Sequence, residues 1–168
     1  KVVPTFVWGD DVVIESNIIL EYLEDRCPEP SLRPDDAFQA SQMRLWMKKL
    51  DDSIHASTVT VSVCIAIRQQ FLKLGTADFG RWLANIPDPD RRAHSRAQIE
   101  GGMDAPQFTG AVIGLRNLHD ALERTLRSQS WLGGNRCSLA DIAYAPYMLR
   151  FEQLGLGDLA ANRPAVAD

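Results

Sequence analysis

Apolar and polar residues change their rhythm twice along this chain. Thr5 to Trp8 and Val12 to Ile14 are short runs rich in β-branched and aromatic residues, with Gly9-Asp10-Asp11 between them. Such side chains suit a pleated surface and the glycine suits a turn, so the pattern predicts a β-hairpin. From Ser16 to Asp25 the rhythm becomes helical, with Ile19, Leu20 and Leu23 on one face. Cys27-Pro28-Glu29-Pro30 ends that helix, because proline has no N–H to donate and restricts the residue before it. The Pro- and Asp-rich segment from Pro28 to Asp36 reads as a linker between two regimes.

Beyond the linker the pattern is helical almost throughout. Met43, Trp46, Leu50 and Ile54 fall on one stripe, which predicts a long amphipathic helix starting near Phe38. The β-branched run Thr58 to Ile67 also has the look of a strand. No turn signal separates it from the preceding stripe, so it is assigned to the helix. Ile86-Pro87-Asp88-Pro89-Asp90 predicts a polar loop followed by a charged helical segment, with Arg91-Arg92 on a solvated face. Phe108, Val112, Leu115, Leu118, Leu122 and Leu126 form a second stripe, Gly133-Gly134-Asn135 a turn, and Ser138 to Gln153 a third helix. The fold class is α+β: a β-β-α unit over residues 1–30, then an all-helical domain over residues 38–168.

Composition narrows the function classes. The 168 residues are 45% hydrophobic, enough to bury a real core. A net charge of −4 and a pI near 5.4 give no electrostatic reason to expect nucleic acid or an anionic membrane as partner. No apolar run approaches the roughly 20 residues of a membrane span, and no basic-then-apolar leader is present. Cys27, Cys64 and Cys137 are odd in number and widely spaced, which argues for a reducing compartment, the cytoplasm by default. Cys64 reads as a small buried hydrophobe, and no Cys/His spacing suggests a metal site. The chain opens at Lys1 inside a strand-like stretch, so it reads as missing its true start.

Two serines open helices in different ways. Ser16 falls where an N-cap belongs, and the residue three further on is Ile19, so no reciprocal capping box closes that end. Its unsatisfied N–H groups and partial positive charge suit a carboxylate. Ser138 has Asp141 three residues on, and there the capping reading wins: both are fold-holding residues. His94 and His119 have polar or charged neighbours and read as surface residues.

Val3-Pro4-Thr5 before the hairpin, Val13-Ile14-Glu15-Ser16 opening the helix, the proline-bearing linker and the helical domain together resemble the glutathione transferases. Ser138-Leu139-Ala140-Asp141-Ile142-Ala143 resembles that family's capping motif. Glu21 to Asp25, Ser31 to Pro34 and Met43 to Trp46 are most similar to bacterial members related to β-etherases. The resemblance implies that residues 1–30 are the C-terminal part of a thioredoxin-like domain, with the portion that precedes it missing.

It also implies a site for glutathione. Pro4 would follow a cis bond, as X-Pro alone commonly does, and the backbone of Val3 would pair with the cysteinyl portion as an added strand. On the residues alone Pro4 equally starts an edge strand. Ser16 would hold the γ-glutamyl carboxylate and Glu15 its ammonium. His55 follows Trp46 by nine positions, as a glutathione-reaching histidine does in bacterial beta-class members, although a lone histidine on a helix is otherwise a surface or core residue. Thr58, Val59 and Ser62 would line a hydrophobic-substrate pocket.

The Tyr, Ser or Cys that stabilises the thiolate is expected N-terminal to Lys1, and Tyr22, inside the helix, is no substitute. Glutathione is then the co-substrate, a small hydrophobic electrophile the acceptor, and a homodimer the assembly, with no metal involved. A glutathione-dependent β-etherase or lyase on aromatic ethers, or a non-catalytic binding or stress module, are the alternatives.

Overall fold

A computed structural model describes residues 3–167. Strands β1 (Thr5–Trp8) and β2 (Asp11–Ile14) form an antiparallel hairpin that pairs Thr5 with Ile14 and Trp8 with Asp11. Asp11 thus belongs to the strand, and the turn is Gly9-Asp10 alone. The φ of 62° at Gly9 is the left-handed backbone such two-residue turns require. Helix α1 (Ser16–Arg26) follows at once. The linker is tied back to it by Glu24, which is only 6% exposed and accepts hydrogen bonds from Ser31 Oγ at 2.7 Å and from the Leu32 and Arg33 amides at 3.1 Å.

Helix α2 runs without a break from Ala37 to Leu72, capped at its start by Asp36 Oδ1, which accepts from the Gln39 amide at 2.9 Å. Two π turns, Leu50–Ile54 and Val63–Ile67, interrupt its α geometry. The β-branched run is helical because neighbouring helices take up its side chains. Val61 and Cys64 enter the core, Thr60 Oγ1 accepts from Gln98 Nε2, and Ser62 Oγ accepts from Arg150 Nε. Among the described residues α2 is also the one helix long and apolar enough to cross a membrane, by length and composition. Here its buried face, Met43, Met47, Leu50, Ile54 and Val61, joins the core of the helical domain.

That core is completed by α5 (Pro106–Leu126) through Leu115, Leu118 and Leu122, and by α6 (Leu139–Gln153) through Leu139, Tyr144 and Phe151. Between α2 and α5 lie α3 (Thr76–Ala84), which the periodicity does not announce, and α4 (Pro89–Gly101). The short α7 (Pro164–Ala167) closes the order.

Two polar expectations are corrected. His119 is a core residue, 3% exposed, with Nδ1 2.8 Å from the Leu115 carbonyl and its ring against Phe151; burial pushes its pKa down. Arg92 does more than decorate a solvated face. Its guanidinium donates to the Ile86 and Pro87 carbonyls and anchors the loop before α4.

Candidate functional site

The hairpin register sets the site. Thr5 and Ile14 pair at the open end, so Pro4 and Glu15, one step beyond each, flank that end together. The Val3–Pro4 peptide is cis, and Val3 is 91% exposed. Glu15 turns the chain from strand to helix in one residue by adopting φ 70° and ψ 121°. A non-glycine residue in that region carries about 1–3 kcal/mol of strain, the kind kept at binding sites. The helix starts one residue earlier than expected: Glu15 occupies the N-cap position and Ser16 is the first helical residue. No side chain caps this end, so its first-turn N–H groups stay available to an anion.

A cavity of about 440 Å³ opens beside it, between the hairpin–α1 unit and the helical domain. Pro4 and Ser16 line it from one side, and Ile142, Ala143, Pro146 and Tyr147 of α6 from the other. Asn17 Nδ2 donates to the Met47 carbonyl at 3.0 Å and to Asp51 Oδ2 at 2.9 Å. This fastens the start of α1 to the first π turn of α2. The extra residue in that turn places Asp51 on the cavity wall and His55 one turn along. Tyr147 Oη lies 3.0 Å from His55 Nδ1. Burial, and then the charge of Asp51, raise the Tyr147 pKa, so its phenol stays protonated. The cavity therefore offers an apolar wall, the neutral Tyr147 hydroxyl and the Asp51 carboxylate next to an open helix end that carries Ser16.

The predicted site residues divide accordingly. Pro4 and Ser16 share this cavity, with Val3 and Glu15 exposed beside it. His55 does not line it and reaches it only through Tyr147; together with Val59 it lines a second cavity inside the helical domain. Thr58 and Ser62 are corrected, because both are buried within the helix packing. The Thr58 hydroxyl donates to the Ile54 carbonyl at 2.8 Å, and Ser62 is engaged by Arg150.

Ser138 and Asp141 form a capping box: Asp141 Oδ2 accepts from Ser138 N at 2.8 Å and from Ser138 Oγ at 2.6 Å. Tyr22 Oη donates to Asp11 Oδ2 at 2.7 Å, away from the cavity. Cys64 is buried, which pushes its thiol pKa up. No cluster of three or more His, Cys, Asp or Glu suited to a metal occurs among the described residues. Asn17, Asp51 and Tyr147 are the site residues that pattern reading missed. Only the proline inside α6, next to Tyr147, marks that face in the sequence.

These features define a class, and comparison with known proteins agrees. Residues 103–168 match the family described as glutathione S-transferase, C-terminal domain, and the chain belongs to the glutathione S-transferase family. It is similar to Protein LigF of Sphingobium sp. (strain NBRC 103272 / SYK-6), with 33% identity over 143 residues, 81% of this chain and 54% of LigF. The crystal structure of β-etherase LigF from that strain superposes with a TM-score of 0.80 and 28% identity, covering 98% of this chain and 70% of that one. A probable glutathione S-transferase of Glycine max is 35% identical over 143 residues, 85% of this chain and 47% of its own length. The chain spans about half the length of these curated relatives.

Proposed function

We propose that this protein is a glutathione-dependent enzyme that brings the glutathione thiolate to an electrophilic, largely apolar acceptor. The observation that carries this reading is the juxtaposition of Pro4 with the uncapped helix end at Ser16 on one cavity. In it the backbone of Val3 pairs with the cysteinyl portion of glutathione. The N–H groups and hydroxyl at Ser16 take the γ-glutamyl carboxylate, and Glu15 takes its ammonium. The acceptor lies against Ile142, Pro146 and Tyr147. A thiolate-stabilising group N-terminal to Lys1 and a homodimeric cytoplasmic protein belong to the same reading. The new S–C bond forms as the bond to the leaving group breaks, and the departing atom takes up the proton lost by the thiol.

The likeness to LigF favours one specific form of this chemistry: cleavage of an aromatic ether, with glutathione displacing a phenolate. Turnover separates the readings. The protein is assayed with glutathione against chlorodinitrobenzene and against a β-aryl ether that releases a coloured phenolate. Conversion of the ether alone supports the etherase form, conversion of chlorodinitrobenzene the general one. Saturable glutathione binding with neither turnover overturns the enzyme reading in favour of a binding module.

A further inference from the structure

Expelling a leaving group puts an electron pair on the departing atom. When an ether is cleaved, that atom is oxygen, and a fixed hydrogen-bond donor aimed at its developing charge lowers the barrier. Among the described residues that line the cavity beside Ser16, one side chain is placed to supply it. Ile142, Ala143 and Pro146 are apolar, and the Asp51 carboxylate only accepts. Asn17 commits both amide hydrogens, to the Met47 carbonyl and to Asp51. The Ser16 hydroxyl faces the γ-glutamyl carboxylate in the proposed complex. Tyr147 remains, half-buried on the α6 wall across from Pro4 and Ser16.

The Tyr147 hydroxyl has a partner that sets its direction. Oη lies 3.0 Å from Nδ1 of His55, and the two rings meet edge to face with centroids 6.3 Å apart. The tautomer of His55 decides what the phenol offers. With the imidazole proton on Nε2, Tyr147 gives its own hydrogen to Nδ1, and the acceptor wall keeps no donor. With the proton on Nδ1, His55 donates to Oη and the phenol hydrogen is free to point at a ligand. Burial and the charge of Asp51 hold that hydrogen on the phenol.

We infer that Tyr147 is a catalytic residue whose O–H donates to the oxygen leaving the acceptor, and that His55, donating from Nδ1 to Oη, is the positioning residue that frees this hydrogen. The thiolate sulfur supplies the pair for the new S–C bond. The C–O pair departs with the oxygen as a phenolate, which takes up the proton lost by the thiol after it leaves. Tyr147 keeps its own proton throughout. The inference rests on reading this cavity as the glutathione and acceptor site.

Steady-state turnover of β-aryl ethers whose phenols differ in acidity tests it. Tyr147→Phe lowers kcat about tenfold or more for the ether that releases methoxyphenolate and least for the one that releases nitrophenolate, with KM held within about twofold. His55→Phe gives the same leaving-group pattern. His55→Asn, whose amide N–H can stand in for Nδ1–H, restores most of the rate. His55 is exposed, so this pair serves even if Tyr147→Phe does not fold. Titration with para-nitrophenolate reads the same hydrogen bond without turnover, and decides the matter for a parent that cleaves no ether. There Tyr147→Phe and His55→Phe each bind about tenfold more weakly, while para-nitroanisole, which carries no oxyanion, binds all three proteins alike. A glutathione titration beside it separates the two readings, since loss of glutathione binding counts against the site and not against the hydrogen bond. A loss of kcat equal across the ether series, no rescue by His55→Asn, or equal nitrophenolate affinity in parent and variants would each overturn the inference.

Discussion

Replacing Glu24 by alanine removes the acceptor for three donors at once: the Ser31 hydroxyl and the amides of Leu32 and Arg33. Ser31 Oγ has a second outlet, the Arg33 carbonyl at 3.0 Å, so its loss is small. The Arg33 amide also reaches Ser31 Oγ at 3.2 Å, so the Leu32 amide alone is left without an acceptor, and an unpaired donor in a mostly buried setting costs about 1–3 kcal/mol. Water reaches part of this linker, which places Glu24→Ala near the middle of that range, about 2 kcal/mol. Glu24→Gln keeps one carbonyl oxygen and costs about 1 kcal/mol. Equilibrium urea unfolding followed by tryptophan fluorescence reads both values, with m unchanged. For a chain of this size the alanine variant melts about 4–8 °C lower. If both variants unfold within about 0.5 kcal/mol of the parent, as an ordinary surface change does, Glu24 does not hold the linker and the reasoning fails.

Other consequences follow from the same geometry. Asp141→Ala removes the partner of Ser138 and also of the Leu132 amide, which Asp141 Oδ1 accepts at 2.9 Å. The loss is then about 2–3 kcal/mol rather than the roughly 1 kcal/mol of a simple cap, measurable by the same unfolding titration. His119 titrates below its ordinary value because it is buried. The unfolded chain therefore binds the proton more readily, and the stability His119 contributes is complete above about pH 6.5 and declines as pH falls below it. Unfolding titrations from pH 5 to 8 should show this slope in the parent, and a shallower one in His119→Gln.

Much of this architecture was legible where residue type and spacing act locally. The hairpin, the capping box at Ser138 and the core stripe of α5 each depend on neighbours within a few positions. Val61 and Cys64 sat in a run with strand character, and helix won there because α4 and α6 supply partners for its hydroxyls. His119 read as a surface residue from its charged neighbours. Its partner is a carbonyl one turn back and its cover is Phe151, from another helix. The candidate site divides the same way. Pro4 and Ser16 were legible because a hairpin brings them together, whereas Asp51 and Tyr147 arrive from distant helices through a π turn and a packing interface that no periodicity encodes.

The central claim is that the open helix end at Ser16 holds glutathione. Calorimetric titration of glutathione onto the parent and onto Ser16→Ala tests it most directly. Ser16 makes no capping hydrogen bond, so the substitution leaves the unfolding midpoint in place. The account predicts saturable binding by the parent and about tenfold weaker binding by the variant, or roughly 1.4 kcal/mol. Equal affinity of the two proteins, or no binding by the parent, would contradict it.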